Sequence, residues 1–165
     1  MNTTLMQAVE SFLAAAQSNG MEGVKLAESD FAAIPQTLGE AIPPWYKELM
    51  KQHPLSGMEL MIPHSNPEFE GAFHVIELAS IEEMESESVE CYPGLAILPK
   101  GYVCIGIDPE GSGDPYFISN QEGDNPPVYQ VLHDVSAQGD EIIAGGLIRL
   151  ADSMSDLFIA AKENL

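Results

Sequence analysis

The sequence predicts an α+β fold, with N-terminal helices, an antiparallel β-sheet meander of about six strands and a C-terminal helix. Three observations predict it. Through Pro54, apolar residues recur at three- and four-residue spacing, the period of a helix with one buried stripe. From Gly57 the pattern changes to short apolar runs broken by Gly, Pro, Asn and Asp, as strands separated by turns require. From Leu150 helical spacing returns.

In the first third, Leu5, Val9, Phe12, Leu13 and Ala16 mark one helix, with Thr4 and Gln7 spaced as a capping box and "QSNGMEG" as its end. A second helix is expected from Ser29 or Asp30 through "FAAIPQTLG", with Pro35 in its first turns and Gly39 as its stop. In "IPPWYKELMKQHP", Pro44 suits a first helical turn, Trp45, Leu49 and Met50 share a side, and Pro54 closes the segment.

Six runs read as strands: "MELMIP", "AFHVIEL", "GLAILP", "YVCIGI", "PYFIS" and "VYQVLHDV". No helix-length pattern separates the later ones, so they are expected to pair antiparallel in sequence order. Between two of them lies "SIEEMESESVE", residues 80–90, whose five glutamates and lack of any base suit a short helix or a loop with a solvated face. Ser153 and Asp156 stand in capping-box spacing ahead of Leu157, Phe158 and Ala161, which predicts the closing helix.

Length and charge bound the function. The 165 residues suit a single domain, 1–165, and 45% hydrophobic residues supply enough apolar surface to fold despite a net charge of −20. With six Lys and Arg against 26 Asp and Glu, nucleic acid and anionic membranes are repelled, whereas a basic protein partner is attracted. Cys91 and Cys104 make neither a disulfide framework nor a zinc spacing. With no basic leader before "LMQAVESFLAAAQ" and no run of roughly 20 apolar residues, a cytoplasmic location is expected.

The stretch "GIDPEGSGDPYF" concentrates the chemistry that sequence can offer. Asp108, Glu110, Ser112 and Asp114 alternate as in a calcium loop, but Ser119 occupies the position where a bidentate Glu should close the coordination, and strands flank it where helices should. A phosphate cradle needs a helix N-terminus and usually a Lys; an esterase elbow needs Gly-x-Ser-x-Gly between strand and helix. Neither is present. His53, His64, His74 and His133 lack metalloprotease spacing, and no nucleophile–base pair stands out, so no catalytic residue, metal ligand or cofactor is assigned. The stretch therefore reads as an acidic hairpin loop whose glycines supply positive φ and whose prolines fix the strand edges. Asp108, Glu110, Asp114, Glu122 and Asp124 fall in turns at opposite ends of "PYFIS", and so are expected to frame a face rather than converge on a point.

The order of motifs resembles the SUKH superfamily, which includes the fungal cell-wall assembly regulator and many bacterial toxin-immunity proteins. "AIPPWYKELMKQHPLSG" resembles its Leu/Ile-Pro-x-x-Tyr-x-x-Leu helix, and Gly113, Asp114, Tyr116 and Phe117 its Gly-Asp pair before an aromatic strand. Val128, Tyr129, His133 and Asp134 are similar to the strand that ends near His-Asp, and Ala151, Ser153 and Phe158 to the terminal helix. The match runs from about residue 22 to 162, with Met154 in place of an aromatic and "HPLSG" in place of Asn-Gly-Gly. The resemblance implies a helix-flanked antiparallel sheet and, for most bacterial members, binding rather than catalysis. An immunity protein that occupies a basic toxin domain is the leading expectation; a regulatory scaffold, or a small metal-dependent hydrolase, are the rivals. The residues expected to meet the partner are Asp108, Glu110, Asp114, Tyr116, Glu122 and Asp124, together with Glu82, Glu83, Glu85 and Glu87. Tyr116 and Tyr129 are either exposed anchors or core residues.

Overall fold

Asn2 starts the first helix. Its side chain accepts hydrogen bonds from the Thr4 and Leu5 amides, satisfying donors that have no partner inside the helix α1, Thr3–Ser18. The expected Thr4–Gln7 cap is thereby corrected: Thr4 already lies inside the helix, and a stronger capping residue precedes it. The computed structural model describes residues 2–64 and 72–165.

The expected second helix is two. α2, Glu28–Ala33, opens with the Asp30 carboxylate accepting from the Ala27 amide; Ile34 and Pro35 are extended; and α3, Gln36–Ala41, follows with Gly39 inside it. Proline disfavours helical backbone in the residue before it, so the break falls where Pro35 puts it. α4, Pro44–Gln52, begins on its proline as expected and buries Tyr46, Leu49 and Met50.

The sheet has six strands in the order β1-β2-β3-β4-β5-β6, each antiparallel to its neighbours: β1 Glu59–Pro63, β2 Phe73–Leu78, β3 Tyr102–Ile107, β4 Tyr116–Ser119, β5 Val128–Val131 and β6 Leu147–Ala151. The meander is as the sequence predicts, but two assignments exchange places. "GLAILP" is a short helix, α6, Gly94–Ile97, running into a 3-10 turn, Leu98–Lys100. Pro99 has no amide for a strand ladder, whereas the first turn of a helix needs none from it. The sixth strand is instead "LIRLA", preceded by helix α7, Gly139–Gly145.

Residues 80–90 are helical. α5, Ile81–Glu85, has the reciprocal cap of Ser80 and Glu83, and it widens into a π-helical turn, Ser86–Glu90. Ile81, Met84 and Ser88 are buried, and the Ser88 hydroxyl accepts from the Cys104 amide, so this segment is docked on β3. The closing helix α8, Met154–Glu163, is capped by Ser153, which accepts from the Asp156 amide as predicted.

Alternation along the strands divides the core in two. Val103, Ile105, Ile118 and Val128 face a broad core with α1, α4 and α8, in which the Phe12 and Phe158 rings meet at 5.6 Å. Cys104, Phe117, Tyr129 and Val131 face a smaller core closed by Ile97 of α6 and Ile142 of α7.

Candidate functional site

The β3–β4 loop is shaped by its own side chains. The Asp108 carboxylate accepts from the amides of Glu110 (2.8 Å) and Ser112 (3.1 Å), and Gly111 and Gly113 take φ of +84° and +80°, the left-handed conformation that their sequence position predicts. Partial burial works to raise the Asp108 carboxyl, but hydrogen bonds from Ser112 and Glu110 outweigh it and hold the group below its ordinary value.

Asp114 ties this loop to the next strand. One carboxylate oxygen, Oδ1, accepts from the His133 amide at 2.9 Å and meets the His133 ring Nδ1 at 2.7 Å. The hydrogen bond to Asp114 raises the imidazole above its ordinary value. Sequence reasoning weighed His133 alone and missed this pair, because nineteen residues separate the partners and no periodicity links them. The only signal available was that the resemblance marked both positions.

Beside this loop lies an open cleft of about 210 Å³, lined by Glu87, Ile107, Asp108 and Asp114 together with Gly111, Gly113 and Pro115. Two of the loop carboxylates thus meet one from the π-helical turn, and no basic side chain lines the space. Burial, then the neighbouring Glu83, raises the Glu87 carboxyl. Glu87 is placed by the close approach of α6: a Cβ on Gly94 would collide with the Glu87 carbonyl, so only glycine lets the helix sit against this turn.

The other expected residues disperse. Glu110 is exposed at the loop tip, and Glu82 is exposed on α5. Glu83 is committed to the Ser80 amide (2.8 Å), and Glu85 is half-buried beside it. At the far end of β4, Glu122 accepts from the Tyr129 hydroxyl (3.1 Å) and Asp124 from the Asn2 amide group (3.5 Å). The two turns lie at opposite ends of β4, so the five carboxylates do not converge on one point, and at the first end Asp108 and Asp114 line a cleft with Glu87. Tyr116 is not a surface anchor: it is 1% exposed, its hydroxyl donates to the Val75 carbonyl, and its ring belongs to the broad core. Tyr129 is also buried, with Arg149 stacked over its ring.

Among the described residues no group of three or more His, Cys, Asp or Glu is arranged to hold a metal ion. None of the described helices is long and apolar enough to cross a membrane.

The model of the SMI1 / KNR4 family (SUKH-1) matches residues 25–160. The chain belongs to this family. No curated protein and no solved structure matches it significantly. On this SUKH-1 frame the resemblance falls into place: the Pro-x-x-Tyr-x-x-Leu segment is α4 with Tyr46 and Leu49 in the core, and the Gly-Asp and His-Asp motifs are the two halves of the Asp114–His133 contact.

Proposed function

We propose that this SUKH-1 protein is a non-enzymatic binding domain of the immunity type, which neutralises a basic toxin domain in the cytoplasm by occupying its surface. The observation that supports this reading most is the acidic cleft: three carboxylates from two chain segments, with no Lys or Arg lining it, on a chain with a net charge of −20. Such a field accelerates encounter with a basic partner and disfavours nucleic acid and anionic membrane. The hydrogen-bonded frame of Asp108 and Asp114 holds their charges in place before any partner arrives, which lowers the ordering cost of binding.

The test is a pull-down from the source organism at low and at high salt, followed by association kinetics with the protein recovered. Reversing Asp108, Glu110 and Asp114 to Lys should slow association at low salt by about tenfold or more and flatten its salt dependence. Unchanged kinetics would remove the loop from the interface. A recovered partner that is an endogenous regulator, with no toxin activity, would replace immunity by a scaffolding role.

A further inference from the structure

The outward face of the β1–β2 pair is apolar and open. Leu60, Ile62 and Ile76 point into the broad core, and the alternate positions point away from it. There Met61 is 40% exposed and Phe73 36%, paired across the strands with Val75 and Pro63. The same face carries Glu59 directly opposite Glu77, a like-charge pair that costs stability in an isolated sheet. Burial, then the charges of Glu83 and Glu59, raises the Glu77 carboxyl. Glu77 in turn pairs with Ile107, and Ile107 lines the acidic cleft beside Asp108 and Glu87. The exposed apolar positions are thus joined to the anionic cleft through the Glu59–Glu77 pair and Ile107.

We propose that this face, from Met61 and Phe73 through Ile107 to the cleft, docks a basic segment of a partner protein that presents an apolar side chain flanked by Lys or Arg. The inference rests on the binding function proposed above and gives it a surface. Charge selects the occupant. A second copy of this chain would bring Glu59 and Glu77 against their equivalents at a net charge of −20 on each side, whereas a basic segment neutralises the pair while its apolar side chain covers Met61 and Phe73.

The probes are two fluorescent synthetic peptides of equal length and charge, one alternating Lys with Phe and one alternating Lys with Ser, titrated by anisotropy. The wild-type protein should bind the Lys–Phe peptide about tenfold more tightly than the Lys–Ser peptide. The variant M61Q/F73T should lose that preference and keep the salt-sensitive affinity for both peptides, while V24S, at an exposed apolar position elsewhere, should keep it. Should the double variant melt early, M61Q alone carries the comparison. A preference that survives in M61Q/F73T, or equal affinity of wild type for both peptides, overturns the docking surface and leaves the proposed function standing. Failure of both peptides to bind at low salt overturns that function as well. A concentration-dependent dimer that M61Q/F73T abolishes assigns the face to a second copy and overturns the proposal.

Discussion

On one face of the sheet, α1, α4 and α8 lay extended apolar stripes over Val103, Ile105 and Ile118; on the other, helices of four and seven residues cover Cys104, Phe117 and Val131. The first face is closed by elements that announce themselves, since α1 and α8 repeat their buried residues over two turns or more. The second is closed by fit. Ile97 and Ile142 are fully buried, but α6 and α7 are too short to be stable on propensity, and they hold their place because glycines admit the neighbouring backbone: Gly94 against Glu87, and Gly139 against Ala96. The difference matters for the proposed function, because the acidic cleft hangs on the second face, through the turn that α6 supports.

The largest test of this contrast is to hollow each core in turn. Phe158→Ala, which removes a fully buried ring packed on Phe12, should lower the unfolding free energy by about 3–5 kcal/mol. Ile142→Ala should cost about 2–3 kcal/mol, because the short α7 can settle into part of the cavity. Amide hydrogen exchange separates the two: the first variant should speed exchange in α1 and α8, and the second chiefly in α6 and α7. Uniform acceleration in both variants would show a single cooperative core and erase the distinction.

A smaller effect is expected from Gly94→Ala, which adds one methyl group where the Glu87 carbonyl stands. The backbone must shift to accept it, at about 1–3 kcal/mol in the range of overpacked sites. Because Glu87 moves with its turn, the low-salt association rate with a basic partner should fall too, whereas the same methyl group at Gly20, where nothing lies within 4 Å, strains only the local φ of +75°. If G94A melts like wild type, α6 is held by something other than this close approach.

The same contrast explains what was legible in the sequence. α1, α4, α8 and five of the six strands carry their period within their own residues, so they could be read; so could the Ser153 cap of α8 and the turn conformation of Gly111 and Gly113. "GLAILP" could not, because a six-residue apolar run fits a strand or a buried helical turn equally, and the arbiter, the carbonyl of Glu87, lies outside the run. β6 was hidden because it is a half-exposed edge strand with Arg149 at its centre and two glycines before it, which together resemble a turn. At the site, charge type was legible and grouping was not. Asp108, Asp114 and Glu87 meet only through the β2–β3 connection, and nothing local to either segment distinguishes them from Glu82 or Glu122, which face elsewhere.

The smallest and most specific effect concerns the link that fastens the cleft loop to β5. Hydrogen bonding to Asp114 raises the His133 imidazole above its ordinary value, so the ring binds its proton more tightly in the folded chain than in the unfolded one. The stability it contributes is complete below the unfolded value of about 6.5 and disappears as pH rises through the folded one. His133→Gln removes the titrating ring while leaving the backbone amide that also donates to Asp114. The melting temperatures of wild type and H133Q should therefore differ most near the acidic end of that window and converge as pH rises above it, with only a small gap throughout because the ring is exposed to solvent. A difference that stays constant across the same range would mean that the ring holds Asp114 by its neutral hydrogen bond alone, and the loop would then be fastened independently of protonation.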